Sequence, residues 1–138
     1  MMKNFDQIFN DSYERIIYRG DQGDAFFSLF YELFIASSPA VAEMFREIDL
    51  SKQKLMLQRS LYLAMDFAST RIETEAIKKY ADVHGPSQLD VPANMYVLWL
   101  EALIKAVKSH DPRFNADIEL AWKLVLSPLI LYMSAHSS

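Results

Sequence analysis

Apolar residues recur at three- and four-residue intervals along almost the whole of this chain, a spacing that suits helices and little else. Only three glycines break it, Gly20, Gly23 and Gly85, and they stand between helical stretches rather than in hairpin turns. No stretch alternates apolar and polar residues between Asn-Gly or Asp-Gly turns, so no strand is expected. The expected fold class is all-α, with six or seven helices in one domain spanning residues 1–138.

The first helix is expected over about residues 3–18, with Phe5, Ile8, Phe9, Tyr13, Ile16 and Ile17 on one side, and "RGDQGD" ends it. A second starts near Asp24 and runs through "AFFSLFYELFIA". Ser38 then caps a short helix with Pro39 at its first position, and Asp49 or Ser51 opens a long one. Beyond "STRIETE", Ile77, Tyr80, Ala81 and His84 form one apolar stripe that stops at Gly85-Pro86. The loop "GPSQLDVP" leads to "ANMYVLWLEALIKAVKSH", and Asp111-Pro112 marks the next break. In the last helix Pro128 lies inside the pattern, where a kink is expected.

Composition removes whole classes of function. Without cysteine there can be no disulfide, zinc-thiolate site or thiol nucleophile. A net charge of −4 with scattered signs gives no basic stripe, so nucleic acid is not an expected partner. The N-terminal residues lack a signal-peptide pattern, and Arg and Lys interrupt the apolar stretches, so no membrane span is expected and a cytoplasmic location is. No phosphate-binding glycine loop, GxSxG elbow or paired-acid arrangement occurs. Hydrophobic residues make up 51 %, a surplus suited to lining a cavity for a flat apolar ligand or to covering a subunit interface.

One residue stands out against this background. His84 continues an apolar stripe to its last inward position. A helix-end histidine ordinarily complements the negative end of the helix dipole. A buried neutral imidazole, however, needs a partner for each ring nitrogen, and a metal on one with a carbonyl on the other would serve. His110, at a helix end, and His136, in the chain tail, have no second ligand one turn away that would build a zinc or di-iron site. Two further polar residues lie among apolar ones: Tyr31 beside Phe27, Phe30 and Phe34, and Gln53 at the head of the stripe Leu57, Ser60, Leu61 and Ala64. Each has an ordinary reading, Tyr31 as a core tyrosine and Gln53 as a first-turn or solvent-facing residue.

The order of these features resembles that of bacterial single-domain globins. "FYELFIASSPAVAEMF" (residues 30–45) resembles the B–C–CD segment, "QKLMLQRSL" the start of the E helix, and "YADVHG" the end of the F helix. "AWKLVLSPLILYM" resembles the H helix, so the likeness covers nearly the whole chain. It implies a globin fold around haem b (iron protoporphyrin IX). His84 would be the proximal metal ligand and Phe45 the haem-packing phenylalanine. Tyr31 and Gln53 would be the distal hydrogen-bonding pair, Leu57 the apolar ceiling, and Tyr96 a proximal-side tyrosine. On this basis Tyr31→Phe would speed O₂ dissociation about tenfold or more.

Two departures qualify the resemblance. The place of the H-helix glutamate that some bacterial members use falls near Ser137, with no carboxylate in reach, so a peroxidase-like proximal histidine is not expected. There is also no room within 138 residues for a flavin reductase domain. The implied function is reversible binding of O₂, NO or CO for storage or scavenging at a pentacoordinate-type iron. The alternatives are NO dioxygenation with electrons from a separate reductase, and a haem-free globin-fold regulator or sensor. Retention of His84 and Phe45 argues against the last. By analogy with globins, the stripes of the last two helices are compatible with a homodimer.

Overall fold

The computed structural model describes residues 3–18, 20, 21, 23–84 and 91–135. Seven helices and no strand occur among the described residues: α1 (Phe5–Ile17), α2 (Asp24–Ala36), α3 (Pro39–Met44), α4 (Leu50–Thr70), α5 (Glu75–His84), α6 (Ala93–His110) and α7 (Ala116–Ala135).

Short polar side chains start these helices by accepting N–H groups that the first turn leaves without a partner. Asn4 accepts from Gln7 N at 3.1 Å, Ser38 from Val41 N at 3.1 Å, Asp49 from Ser51 N at 3.0 Å and Asn115 from Ile118 N at 2.9 Å. Pro39 occupies the first turn of α3, where its missing N–H costs nothing. Gly23 precedes α2 with φ +83°, a left-handed conformation that side-chain-bearing residues rarely adopt, so the turn after α1 favours glycine.

Packing sets α2 against α6, α1 against α7, and α4 against α7. Trp122 of α7 is the largest fully buried side chain, with the Phe9 ring centroid 4.5 Å away. Truncation to alanine at such a site costs ~3–5 kcal/mol. Trp122 Nε1 donates to Ser12 Oγ at 3.0 Å, which in turn donates to the Asp111 carboxylate at 2.6 Å. Arg15 completes the group with bonds of 2.9 and 2.8 Å to the two carboxylate oxygens. The Asp-Pro pair expected only as a break therefore supplies a buried charge that ties α1 to the turn before α7. Burial pushes the Asp111 carboxyl up, but Arg15, Ser12 and the Arg113 amide outweigh it and hold the group below its ordinary 3.8.

Among the described residues, α7 is long and apolar enough to cross a membrane by length and composition alone. Its apolar stripe is committed elsewhere: Ile118, Ala121, Trp122, Val125, Leu126, Leu129 and Met133 are buried in the core. The helix continues through Pro128 as a single element. Proline leaves the Leu124 carbonyl without its ladder donor, and the neighbouring Ser127 hydroxyl turns back onto the Lys123 carbonyl. The tail residues His136 and Ser137, and the Gly85-Pro86 stop and most of the loop after it, lie outside the described residues.

Candidate functional site

α4 and α5 scarcely approach each other, although both belong to the same packed unit. The space between them is a cavity of about 150 Å³. Tyr31 and Phe34 of α2 border it, with Met44 at the end of α3 and Phe45 and Ile48 between α3 and α4. Gln53, Met56, Leu57 and Ser60 of α4 face Tyr80 and His84 of α5. Val91, Met95, Tyr96 and Trp99 enter from α6 and its approach, and Leu129, Ile130 and Met133 from α7. No carboxylate, ammonium or guanidinium lines it among the described residues. His84, Phe45, Tyr31, Gln53, Leu57 and Tyr96, separated widely in sequence, all line this one cavity.

His84 closes α5, and its Nδ1 lies 2.8 Å from the Tyr80 carbonyl one turn back. A carbonyl can only accept, so Nδ1 carries the proton and the lone pair resides on Nε2. Burial lowers the pKa of His84 from 6.5, and the bond to Tyr80 only partly opposes this. The imidazole is thus neutral at pH 7, oriented, and able to donate a lone pair. No cluster of three or more His, Asp or Glu suited to holding a metal occurs among the described residues.

On the α2 side, Tyr31 Oη donates to the Gln53 backbone carbonyl at 2.8 Å. Burial, assisted by the nearby Tyr80, raises the Tyr31 pKa well above 10.0, so its hydroxyl stays a neutral donor. The Gln53 side chain is half-buried and rests its amide on Met56 Sδ at 3.9 Å. Tyr31 and Gln53 do meet, but through the backbone of one and the hydroxyl of the other. The Phe45 ring packs on Tyr31 and Phe34, with centroids 5.8 and 5.6 Å apart. Leu57 is buried one turn beyond Gln53.

Tyr96 is buried, and its hydroxyl has no hydrogen-bond partner among the described residues. Burial, with Tyr80 contributing, pushes its pKa up to about 12. An unpaired buried hydroxyl costs ~1–3 kcal/mol and signals a position awaiting a partner.

Tyr80 and Ser60 also belong to the site, and their pairing is not legible in the residues alone. Tyr80 belongs to the His84 stripe and Ser60 to the Gln53 stripe, and periodicity within each helix says nothing of a bond between them. Their hydroxyls form a hydrogen bond across the crevice. Ser60 Oγ also donates to the Met56 carbonyl at 2.8 Å. Because Ser60 has one hydroxyl proton, Tyr80 is the donor in the pair.

Neither family models nor curated protein sequences give a match to this chain. A solved structure does: a Pseudomonas aeruginosa PAO1 protein described as structurally highly homologous to a human hemoglobin, with a TM-score of 0.89 and 27 % identity over 98 % of this chain and 99 % of that one. The chain has a globin fold. Within that fold the crevice between α4 and α5 is the place a flat ligand would enter, and the donor set there can be tested against haem. A neutral histidine with a free Nε2, a surround without charge, and an unpaired Tyr96 hydroxyl fit such a group. Pockets for drug-sized ligands run to ~300–1,000 Å³, so a tetrapyrrole also requires the walls of this globin-fold crevice to part.

Proposed function

We propose that the chain binds haem b between α4 and α5 and serves as a gas-binding globin for O₂, NO or CO, in storage or scavenging. The observation that carries this reading is the His84 imidazole, neutral and locked by the Tyr80 carbonyl, with Nε2 free at a cavity without charge. Haem supplies an iron centre able to take a diatomic gas. The chain's own residues do the rest.

His84 would hold the group from α5, and its bond to Tyr80 fixes the tautomer and strengthens Nε2 as a donor. Phe45, Leu57 and Met95 offer apolar surface to a flat macrocycle and keep water away. At about 25 cal/mol per Å², burial of that macrocycle would outweigh the single coordinate bond in holding it. Tyr31 and Gln53 are the donors on the opposite wall, available to a gas molecule that carries partial negative charge. No proton need be transferred: Tyr31 and Tyr96 are both too weakly acidic to ionise near pH 7.

A second reading, a haem-free globin fold acting through a ligand or protein partner, is favoured by the present cavity of about 150 Å³. Hemin titration separates the two. Under the haem reading the purified protein takes up one hemin, its absorption spectrum changes on dithionite reduction and on adding CO, and His84→Ala abolishes those spectra. A colourless protein that refuses hemin, with His84→Ala indistinguishable from wild type, leaves the second reading.

A further inference from the structure

α5 is lightly held. Its buried residues are Ile77 and Ala81, both pointing to the core, and it scarcely approaches α4. Tyr80 lies on the same stripe, with its ring centroid 4.4 Å from that of His84, and extends its hydroxyl across the crevice to Ser60 of α4. Both residues line the cavity. A planar macrocycle seated against His84 must lie between these two walls, and the walls are one hydrogen bond apart at this point.

We infer that the Tyr80–Ser60 hydrogen bond is a latch between the walls of the crevice that must open before a planar ligand can enter. The inference rests on the haem reading above. Chemistry makes the latch easy to isolate. Ser60 keeps its own bond to the Met56 carbonyl when Tyr80 lets go, so Tyr80→Phe deletes one donor, leaves no acceptor stranded, and preserves the ring that packs on His84. Ser60→Ala does the reverse and leaves the Tyr80 hydroxyl without a partner among apolar groups. A bond present in the closed state and absent during entry affects association alone. A bond broken in passage but re-formed beside the bound macrocycle would instead slow association and dissociation alike.

The test is stopped-flow hemin binding to the full chain, followed by the absorption change and by quenching of Trp99, which lines the cavity. Wild type, Tyr80→Phe, Ser60→Ala and the double variant are compared. The latch predicts that Tyr80→Phe associates about three- to tenfold faster with an unchanged dissociation rate. Ser60→Ala should be at least as fast, and adding it to Tyr80→Phe should change nothing further. Unchanged association in either single variant, or an effect confined to dissociation, overturns the latch while leaving haem binding intact. Should wild type take up no hemin, the haem reading has failed and the latch falls with it. Amide exchange of the empty protein guards against a folding artefact: Tyr80→Phe should speed exchange in α5 and leave α6 and α7 as in wild type, whereas faster exchange throughout would overturn a local role.

Discussion

Substituting Tyr31 by Phe removes one hydroxyl from the candidate gas site, and the structure determines how much that should matter. Considered alone, a hydroxyl donating to a polarised gas molecule adds ~1.5–3 kcal/mol, which would make the change tenfold or more. Tyr31 is not idle, however; its proton already goes to the Gln53 carbonyl at 2.8 Å. Turning to a gas molecule means giving up that neutral bond, worth ~0.5–1.5 kcal/mol. The difference is ~1 kcal/mol, or about fivefold in a rate or an equilibrium. The structure thus moderates the effect that the sequence suggests. The assay is O₂ displacement by CO in stopped flow, on reduced, hemin-loaded protein. Stability should fall by no more than ~1 kcal/mol, because the Gln53 carbonyl keeps its helix-ladder partner. An unchanged O₂ off-rate would remove Tyr31 from the donors. Acceleration by ~100-fold would refute the idea that the Gln53 bond competes for its proton.

Further outcomes follow from the same geometry. Gln53→Leu should accelerate O₂ loss less than Tyr31→Phe in the same experiment, since its half-buried amide rests on a thioether and is loosely placed. Asp111→Ala should cost ~3 kcal/mol or more in urea unfolding, because Arg15 and the Arg113 amide lose their buried acceptor; hemin uptake should be unaffected. The empty protein should lose stability in mild acid. The pKa of His84 is lower folded than its ordinary 6.5, so the unfolded chain binds more protons between those values. That contribution is whole above 6.5 and declines as pH falls toward the folded value; urea midpoints at pH 7.5 and pH 5, compared with His84→Ala, check it. At still lower pH Asp111 adds a second loss, complete once its depressed folded pKa is passed.

Helices and their order were legible in the residues because their causes are local. Ser38 with Pro39, and Asp49, mark helix starts through bonds to N–H groups two or three positions away, whereas the Asn4 cap emerges only in the structure. The stripe through Ile77, Ala81 and His84 follows from helical periodicity, and so does the inward direction of His84. That Tyr31, Phe45, Gln53, Leu57, His84 and Tyr96 could share a site was proposed from a family resemblance, and they do line one cavity. What each polar group bonds was a different matter. A hydrophobicity pattern marks Asp111 as a turn residue, yet its partners Ser12 and Arg15 come from the far end of the chain and make it a buried charge.

Local rules, acting over one or two helical turns, therefore determined the helices, their caps and the stripe that carries His84. Tertiary structure alone decided that Tyr80 should donate to Ser60, that Tyr31 should spend its proton on a backbone carbonyl, and that the Tyr96 hydroxyl should go without a partner among the described residues. The physical reason is that a buried hydrogen bond depends on distance and direction between atoms of different helices. Those quantities exist only once the helices have packed.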